Sequence, residues 1–263
     1  MAEHTNIYQH FHPDEYSFIE KMSDFVERVE NNYALQVTDF LNPRQMEILK
    51  VLVATSKLQY FSSADFYHTE YGRVIIAPDY YSLNQDDFDL ALVEISYNSK
   101  FNRISHSQIL GTLLNELGIK RSLLGDILVQ EGYAQIMISC NLLSYFLGNI
   151  TKIARASVQL REIPLSKIAL SETQENTIDI TLSSLRLDRV MASVLKLSRS
   201  QAIKLLESDK VKVNYGTVRR TSDSLSIGDL VSVRGFGRFK LLEDNGFTKN
   251  GKYKLKFSKM MHK

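Results

Sequence analysis

The 263-residue chain has one cysteine, four prolines, no tryptophan and no long apolar run. A lone Cys140 cannot form a disulfide within the chain, so apolar packing must hold the fold, as in a reducing compartment. Cys140 lies in the run Ile136-Met137-Ile138-Ser139-Cys140-Asn141-Leu142-Leu143, where a buried, inert thiol is expected. A membrane helix needs about 20 consecutive apolar residues, and none of the runs is that long. Met1-Ala2-Glu3-His4 lacks the basic and apolar regions of a secretion signal. A cytoplasmic protein without membrane contact is expected.

Catalytic chemistry is equally sparse. There is no nucleophile elbow, no phosphate-binding glycine loop and no zinc-ligand spacing. The histidines at 4, 10, 12, 68, 106 and 262 never pair at the spacing of a helix-borne metal site. Asp86-Asp87-Phe88-Asp89 reads as a solvated strand entry rather than a cation site. No metal and no cofactor is expected.

With 44% hydrophobic residues the chain can bury real cores, and its length suits two or three small domains. Phe18, Met22, Phe25 and Val29, flanked by Ile19 and Val26, recur at three and four and predict a helix between Pro13 and Asn32. Asn42-Pro43 opens a second helix through Met46, Leu49 and Val53. Strands are expected at Leu58–Ser62 and Arg73–Ala77, giving a small α+β unit over residues 1–82.

Residues 83–165 read as βαββαβ. A strand at Phe88–Tyr97 is followed by a helix starting at the capping box Ser105-x-x-Gln108, with Leu110, Leu113, Leu114 and Leu117 on its apolar face. Asp126–Gln130 and Tyr133–Ser139 flank Glu131-Gly132 as a hairpin. A helix at Leu142–Ile150 and a strand at Ser157–Ile163 complete a ferredoxin-like, RRM-like arrangement. Its sheet lacks the basic-Gly-aromatic string of single-strand RNA binders, so base stacking on it is not expected. Lys100, Arg103, Lys120 and Arg121 lie in loops, where they are candidates for a second RNA segment or a ribosomal protein. Phe101 reads either as a stacking residue or as a core plug. Polar residues 166–178 read as a linker, and 179–263 as a third domain. The fold class is α+β.

Charge separates that third domain from the rest. Between Ser183 and Lys240 there are 12 Lys and Arg against 5 Asp and Glu. Residues 183–263 carry about +11 and the remainder about −9, a split concealed by the net charge of +2. Such asymmetry points to a phosphate-bearing partner. Leu187, Val190, Val194 and Leu195 form the apolar side of one short helix. Ser198 and Gln201, a capping box, open the next. Val211-Lys212-Val213-Asn214 alternates as a half-buried strand does, Tyr215-Gly216 turns, and Leu230–Arg234 is a further strand. Arg199, Gln201 and Lys204 then sit on the first turns of the second helix, where N-terminal amides also attract phosphate, while Arg186, Arg189 and Lys196 project away from the apolar side of the first. Lys210, Lys212, Arg219, Arg220, Arg234 and Arg238 are expected to line the rim of the helix corner, forming one concave, positive surface. Arg and Lys would supply affinity, with Ser198, Gln201 and Asn214 fixing register.

The strings Ser184-Leu185-Arg186-Leu187-Asp188-Arg189, Leu197-Ser198-Arg199-Ser200-x-Ala202, Val211-Lys212-Val213-Asn214 and Ile227-Gly228-Asp229-x-Val231-x-Val233-Arg234-Gly235 together resemble the S-four RNA-binding domain. With Phe101-Asn102-Arg103 to His106, Leu110-Gly111-Thr112-Leu113, and Gly118-Ile119-Lys120-Arg121 to Gly125-Asp126-Ile127, nearly the whole chain resembles the YlmH family of Gram-positive bacteria. The resemblance implies an RNA-binding protein acting at the ribosome, linked to rescue of stalled large subunits and encoded among cell-division genes. Ribosomal RNA is the implied partner, tRNA a further candidate, and a monomer the expected state. The family's RNA-facing positions carry over onto Arg186, Arg189, Ser198, Arg199, Gln201, Lys204, Lys212 and Asn214. Asp209 stands where many such domains have glycine. Asp tolerates left-handed backbone, so the turn is expected to survive, with its carboxylate working against phosphate at Lys210.

Two rival readings remain. S-four modules are often appended to pseudouridine synthases, and Leu187-Asp188 superficially resembles that family's catalytic string, although Asp188 more plausibly caps or pairs with an arginine. A DNA-binding division factor would use the helix corner in a major groove.

Overall fold

The computed structural model describes residues 11–169 and 176–261. The chain divides into two compact units, Met1–Ser171 and Glu172–Lys263.

The first unit opens with a 3-10 turn, Pro13–Glu15, leading into α1 (Tyr16–Asn32), which buries Ile19, Met22, Phe25, Val26 and Val29 as the spacing predicts. It stops at Tyr33, whose left-handed backbone (φ 51) ends the hydrogen-bond ladder. Next come β1 (Gln36–Val37) and α2 (Pro43–Val53). The start of α2 is fixed by a reciprocal pair: Gln45 N donates to Asn42 Oδ1 at 2.9 Å and Asn42 N to Gln45 Oε1 at 3.0 Å. β2 (Gln59–Ser62), α3 (Ser63–Tyr67) and β3 (Val74–Ala77) follow. The antiparallel sheet β1-β3-β2 has α1 and α2 on the face bearing Val74 and Ile76.

The middle segment contains β4 (Leu90–Tyr97), α4 (His106–Gly111), β5 (Leu124–Val129), β6 (Tyr133–Ser139), α5 (Leu143–Asn149), β7 (Lys152–Ile153) and β8 (Ala156–Ile163). Its sheet order, β5-β6-β4-β8-β7 with antiparallel neighbours throughout, is the ferredoxin-like topology the βαββαβ pattern predicts. β5 begins at Leu124 rather than Asp126, β7 is an unexpected edge strand, and two further elements differ from expectation. The strand starts at Leu90 rather than Phe88, because Gln85–Phe88 is a 3-10 turn ending at Asp89 in left-handed backbone (φ 52). The helix after Ser105 passes at Thr112 into a π turn, Thr112–Glu116, where Leu117 N bonds to Thr112 O. Ile109, absent from the expected apolar face, is fully buried beside Leu113.

The two faces of this sheet have different covers. Ala91, Val93, Ile95, Ala134, Ile136 and Ile138 face α4 and α5, whose Ile109, Leu113 and Phe146 fill the core. On the opposite face, Leu90, Leu92, Met137 and Ile163 pack with Phe40, Ile75 and Ala77 of the N-terminal segment and with Phe88. Contact is close at Gly125, where an added Cβ would lie 2.6 Å from Phe40 Cε1. Arg73, buried, fastens the two segments: it donates to Thr38 O (2.8 Å), Asp89 O (2.7 Å), Asp89 Oδ2 (2.8 Å) and Ser139 Oγ (3.2 Å). Asp126 adds a second tie by accepting from Glu70 N at 2.7 Å and Tyr71 N at 2.9 Å. Burial pushes its carboxyl above the usual range, against those two hydrogen bonds.

The second unit contains β9 (Asn176–Leu182), α6 (Leu187–Leu195), α7 (Arg199–Glu207), β10 (Val211–Val213), β11 (Gly216–Thr217), β12 (Leu230–Val233), β13 (Gly237–Phe247) and β14 (Tyr253–Met261). The strands form one antiparallel sheet, β11-β10-β12-β13-β14-β9. Leu187, Val190, Met191 and Val194 of α6 and Ala202 and Leu206 of α7 pack on the face bearing Val211, Val231, Val233, Phe239, Leu241, Leu255 and Phe257. Burying such side chains contributes about 1.5–3 kcal/mol each.

The linker expected over 166–178 needs correction at both described ends. Leu165–Lys167 is a 3-10 turn, and Asn176 already belongs to β9, paired with Lys259; residues 170–175 lie outside the described residues. Ile178, Ile180 and Leu182 alternate inward against Phe257, Leu255 and Tyr253, a period-2 pattern obscured by the polar residues before it. The long β13–β14 hairpin was likewise not anticipated.

Candidate nucleic-acid interface

The corner between α6 and α7 is organised by Asp188. Its residue is wholly buried (0% exposed) in the first turn of α6. Arg199 Nε donates to Oδ2 at 2.7 Å and Arg186 Nε to Oδ1 at 3.2 Å. A buried carboxylate thus holds two arginines, one on each side of the corner, with both side chains still partly exposed. Burial alone would raise the Asp188 carboxyl, but the hydrogen bonds from Arg199 and then Arg186 outweigh it and hold the group below the usual carboxylate range. Each guanidinium keeps donors directed elsewhere, because only its Nε faces the carboxylate.

Arg189, one turn along α6, donates from Nη1 to Ser183 Oγ at 2.7 Å. Lys204 is exposed on α7. Ser198 and Gln201 form the expected capping box: Gln201 N donates to Ser198 Oγ at 3.2 Å and Ser198 N to Gln201 Oε1 at 2.9 Å. Those acceptors thereby serve the helix. Asn214 is likewise occupied, receiving Leu230 N at Oδ1 (3.0 Å) and donating Nδ2 to Asp229 Oδ1 (2.8 Å), in left-handed backbone (φ 48). Register-setting contacts from these three side chains are therefore restricted to the hydrogen-bonding capacity left over.

The rim does not form as one surface. Lys212 lies between Val211 and Val213, both packed in the core under the helices, so it points to the opposite sheet face. Arg238, between Gly237 and Phe239, shares that outer face, in a row Lys212–Ser232–Arg238 set by the register. Strand alternation makes it impossible for these two to join the helix-side cluster. Lys210 and Arg234 are adjacent through Arg234 N to Lys210 O at 2.8 Å, and both are exposed. Arg220 is exposed in the turn after β11.

Asp209 adopts left-handed backbone (φ 54), so the turn survives without glycine. Its carboxylate is gripped by Arg219, Nε to Oδ1 at 2.6 Å and Nη2 to Oδ2 at 3.0 Å. That hydrogen-bonded pair holds the Asp209 carboxyl below its usual range. The acid expected to affect Lys210 is instead taken up by Arg219. A further device escaped the sequence reading: Lys259 Nζ donates to Val194 O at 2.8 Å, placing a cation at the C-terminal carbonyls of α6.

The middle segment's sheet, in contrast, offers little to a base. Its face away from the helices is covered around Leu90, Leu92 and Met137. Farther along, Gln135 is buried, donating to Lys167 O at 3.1 Å and accepting from Ala169 N at 2.7 Å. Arg161 is paired to Glu94 at 2.6 Å.

Three family models match in series: "YlmH, N-terminal" over residues 14–81, "Putative RNA-binding domain in YlmH" over 84–167, and "S4 domain" over 185–231. A Bacillus subtilis (strain 168) protein, "Ribosome-associated protein quality control protein P2", is 33% identical over 255 residues, covering 97% of this chain and 99% of its own. The chain belongs to the YlmH family. A solved structure, "Cell division protein ylmH from Streptococcus pneumoniae", is 44% identical with a TM-score of 0.55, covering 62% of this chain and 99% of that one. The S4 match includes the α6–α7 corner and ends within β12, so the β13–β14 hairpin extends the sheet beyond the family motif.

Proposed function

We propose that this YlmH-family protein is a non-catalytic RNA-binding protein of the cytoplasm. It acts as a monomer on ribosomal RNA of the large subunit during rescue of stalled subunits, with tRNA as a second ligand there and a connection to cell division. The observation that carries this reading is the buried Asp188, which orients Arg186 and Arg199 at an exposed helix corner. A carboxylate so placed removes two long side chains' freedom before binding, lowering the entropic cost of phosphate recognition. Arg189 and Lys204 extend the positive surface along both helices. The names of the B. subtilis and S. pneumoniae relatives support the ribosomal and division settings.

The same carboxylate counts against the synthase alternative. Both Asp188 oxygens accept from arginines and the residue is fully buried, which suits an orienting group and not an attacking one.

The test is binding of the purified full chain to isolated large and small ribosomal subunits and to duplex DNA at matched salt. The expected result is preference for the large subunit, with log affinity falling by about 0.7–0.9 per decade of salt for each phosphate neutralised. Equal binding to duplex DNA would transfer the site to the division-factor reading, and a flat salt response would indicate a protein partner. A base-mass change in RNA from cells lacking the protein would revive the enzyme reading.

A further inference from the structure

Phe101 is the most exposed large apolar residue described in the first unit, at 83%. Its loop is ordered by its own backbone: Phe101 N and Asn102 N donate to Asn98 O at 3.4 and 3.1 Å, and Lys100 N donates to Asn98 Oδ1 at 3.1 Å. The ring is thus held out by a turn and does not plug the core, which excludes one of the two sequence readings of this residue. Strand register brings two more turns to the same end of the sheet. Tyr97 N donates to Gly132 O at 3.3 Å, so the β5–β6 turn adjoins the Phe101 loop. Tyr97 also pairs with Val158, whose N bonds to Thr151 O at 3.0 Å, bringing in the β7–β8 turn.

These turns and the adjoining strand β7 carry Lys100, Arg103, Arg155 and Lys152, all exposed and none in an ion pair among the described residues, against the single acid Glu131. The concentration runs against its surroundings, since residues 1–171 hold 14 Lys and Arg against 20 Asp and Glu. We propose that this end of the middle segment binds single-stranded RNA, with Phe101 stacking on one unpaired base and Lys100, Arg103, Lys152 and Arg155 contacting the flanking phosphates. The platform replaces the ferredoxin-like sheet face, which is covered by Phe40, Ile75, Ala77 and Phe88. An exposed aromatic ringed by cations suits single strands because every base has a π-face and every nucleotide a phosphate. The proposal rests on the RNA-binding reading above and adds a second, separate contact.

The test uses the full chain carrying Arg189→Glu and Lys204→Glu, which reverse charge at the helix corner without touching the Asp188 pair, and a fluorescent oligouridine of about ten nucleotides, long enough for one such site. This background is expected to retain salt-sensitive binding. Phe101→Ala should weaken it about ten-fold, Phe101→Tyr should retain it, and Lys100→Ser with Arg103→Ser should weaken it and flatten its salt dependence. Melting should be unchanged, because the Phe101 side chain is largely in solvent. Oligouridine binding that ignores Phe101→Ala overturns the proposal, as does loss in that variant of binding to ribosomal proteins stripped of RNA while oligouridine binding persists. If the Arg189→Glu, Lys204→Glu chain binds large subunits as the unsubstituted chain does, the helix-corner reading fails instead, independently of the oligouridine result.

Discussion

Both units place two helices on one face of an antiparallel sheet, yet they use the other face differently. In the first unit that face lies partly under a second sheet, so Leu90, Leu92 and Met137 are core residues and Gln135 is tied down by the chain crossing it. In the second, the outer face carries the row Lys212–Ser232–Arg238. Charge follows the same division: 14 Lys and Arg against 20 Asp and Glu over 1–171, and 18 against 10 over 172–263. A sheet topology shared with RNA-binding domains thus says little about where RNA binds. The covering of its faces and the placement of its cations say more.

The contrast breaks most sharply if charge reversal acts equally in both units. Arg189→Glu with Lys204→Glu, which spares the Asp188 pair, is expected to weaken affinity for ribosomal RNA by at least about 100-fold, since charge-assisted hydrogen bonds contribute about 1.5–3 kcal/mol each. Arg161→Glu in the first unit, already paired to Glu94, should leave it unchanged. Filter binding of the two variants at one salt concentration makes the comparison.

Asp188→Asn should come next, weakening RNA binding about ten-fold. An amide cannot balance the two guanidiniums, and the charge-assisted hydrogen bonds it weakens contribute about 1.5–3 kcal/mol each, less here because both arginine side chains are partly exposed. Thermal unfolding followed beside binding separates the two effects. Gly125→Val is its counterpart in the first unit. The added carbons collide with Phe40 and Met137, an overpacking cost of about 1–3 kcal/mol, and should lower the melting temperature without changing affinity at the helix corner.

Acid should distinguish the units most subtly. Asp188 has a carboxyl held below its usual range, so the unfolded state takes up the proton first and this contribution is lost as pH falls from the ordinary carboxylate range toward the depressed folded value. Asp126, pushed upward by burial, works the other way: its folded state binds the proton more readily, so its contribution is greatest in acid and is lost as pH rises through the folded value. Unfolding titrated between about pH 3 and pH 6, with Asp188→Asn and Asp126→Asn as controls, should show slopes of opposite sign removed by the two substitutions.

Much of this was legible in the residues. The N-cap and proline at Asn42-Pro43 and the capping boxes at Ser105 and Ser198 marked helix starts because such signals are local. The βαββαβ order was readable because hydrophobic period changes at each element. What escaped was non-local. Nothing near Leu92 or Met137 announces that a second sheet will cover them, and β9 was hidden because its partner β14 is remote in sequence. At the site, the cations were identifiable as a set, but their sidedness was not. Lys212 and Arg238 were grouped with the helix corner although alternation with Val211 and Phe239 turns them away. Asp188 was readable as an arginine partner, whereas its joint hold on Arg186 and Arg199 required the fold.

The central claim is that the α6–α7 corner is the principal RNA contact. Its most direct test is ultraviolet crosslinking of the full chain to large ribosomal subunits, followed by mapping of the crosslinked peptides. Crosslinks concentrated between residues 183 and 214 are predicted, with a minor set around Phe101. Crosslinks confined to the first unit, with none between 183 and 214, would contradict the account.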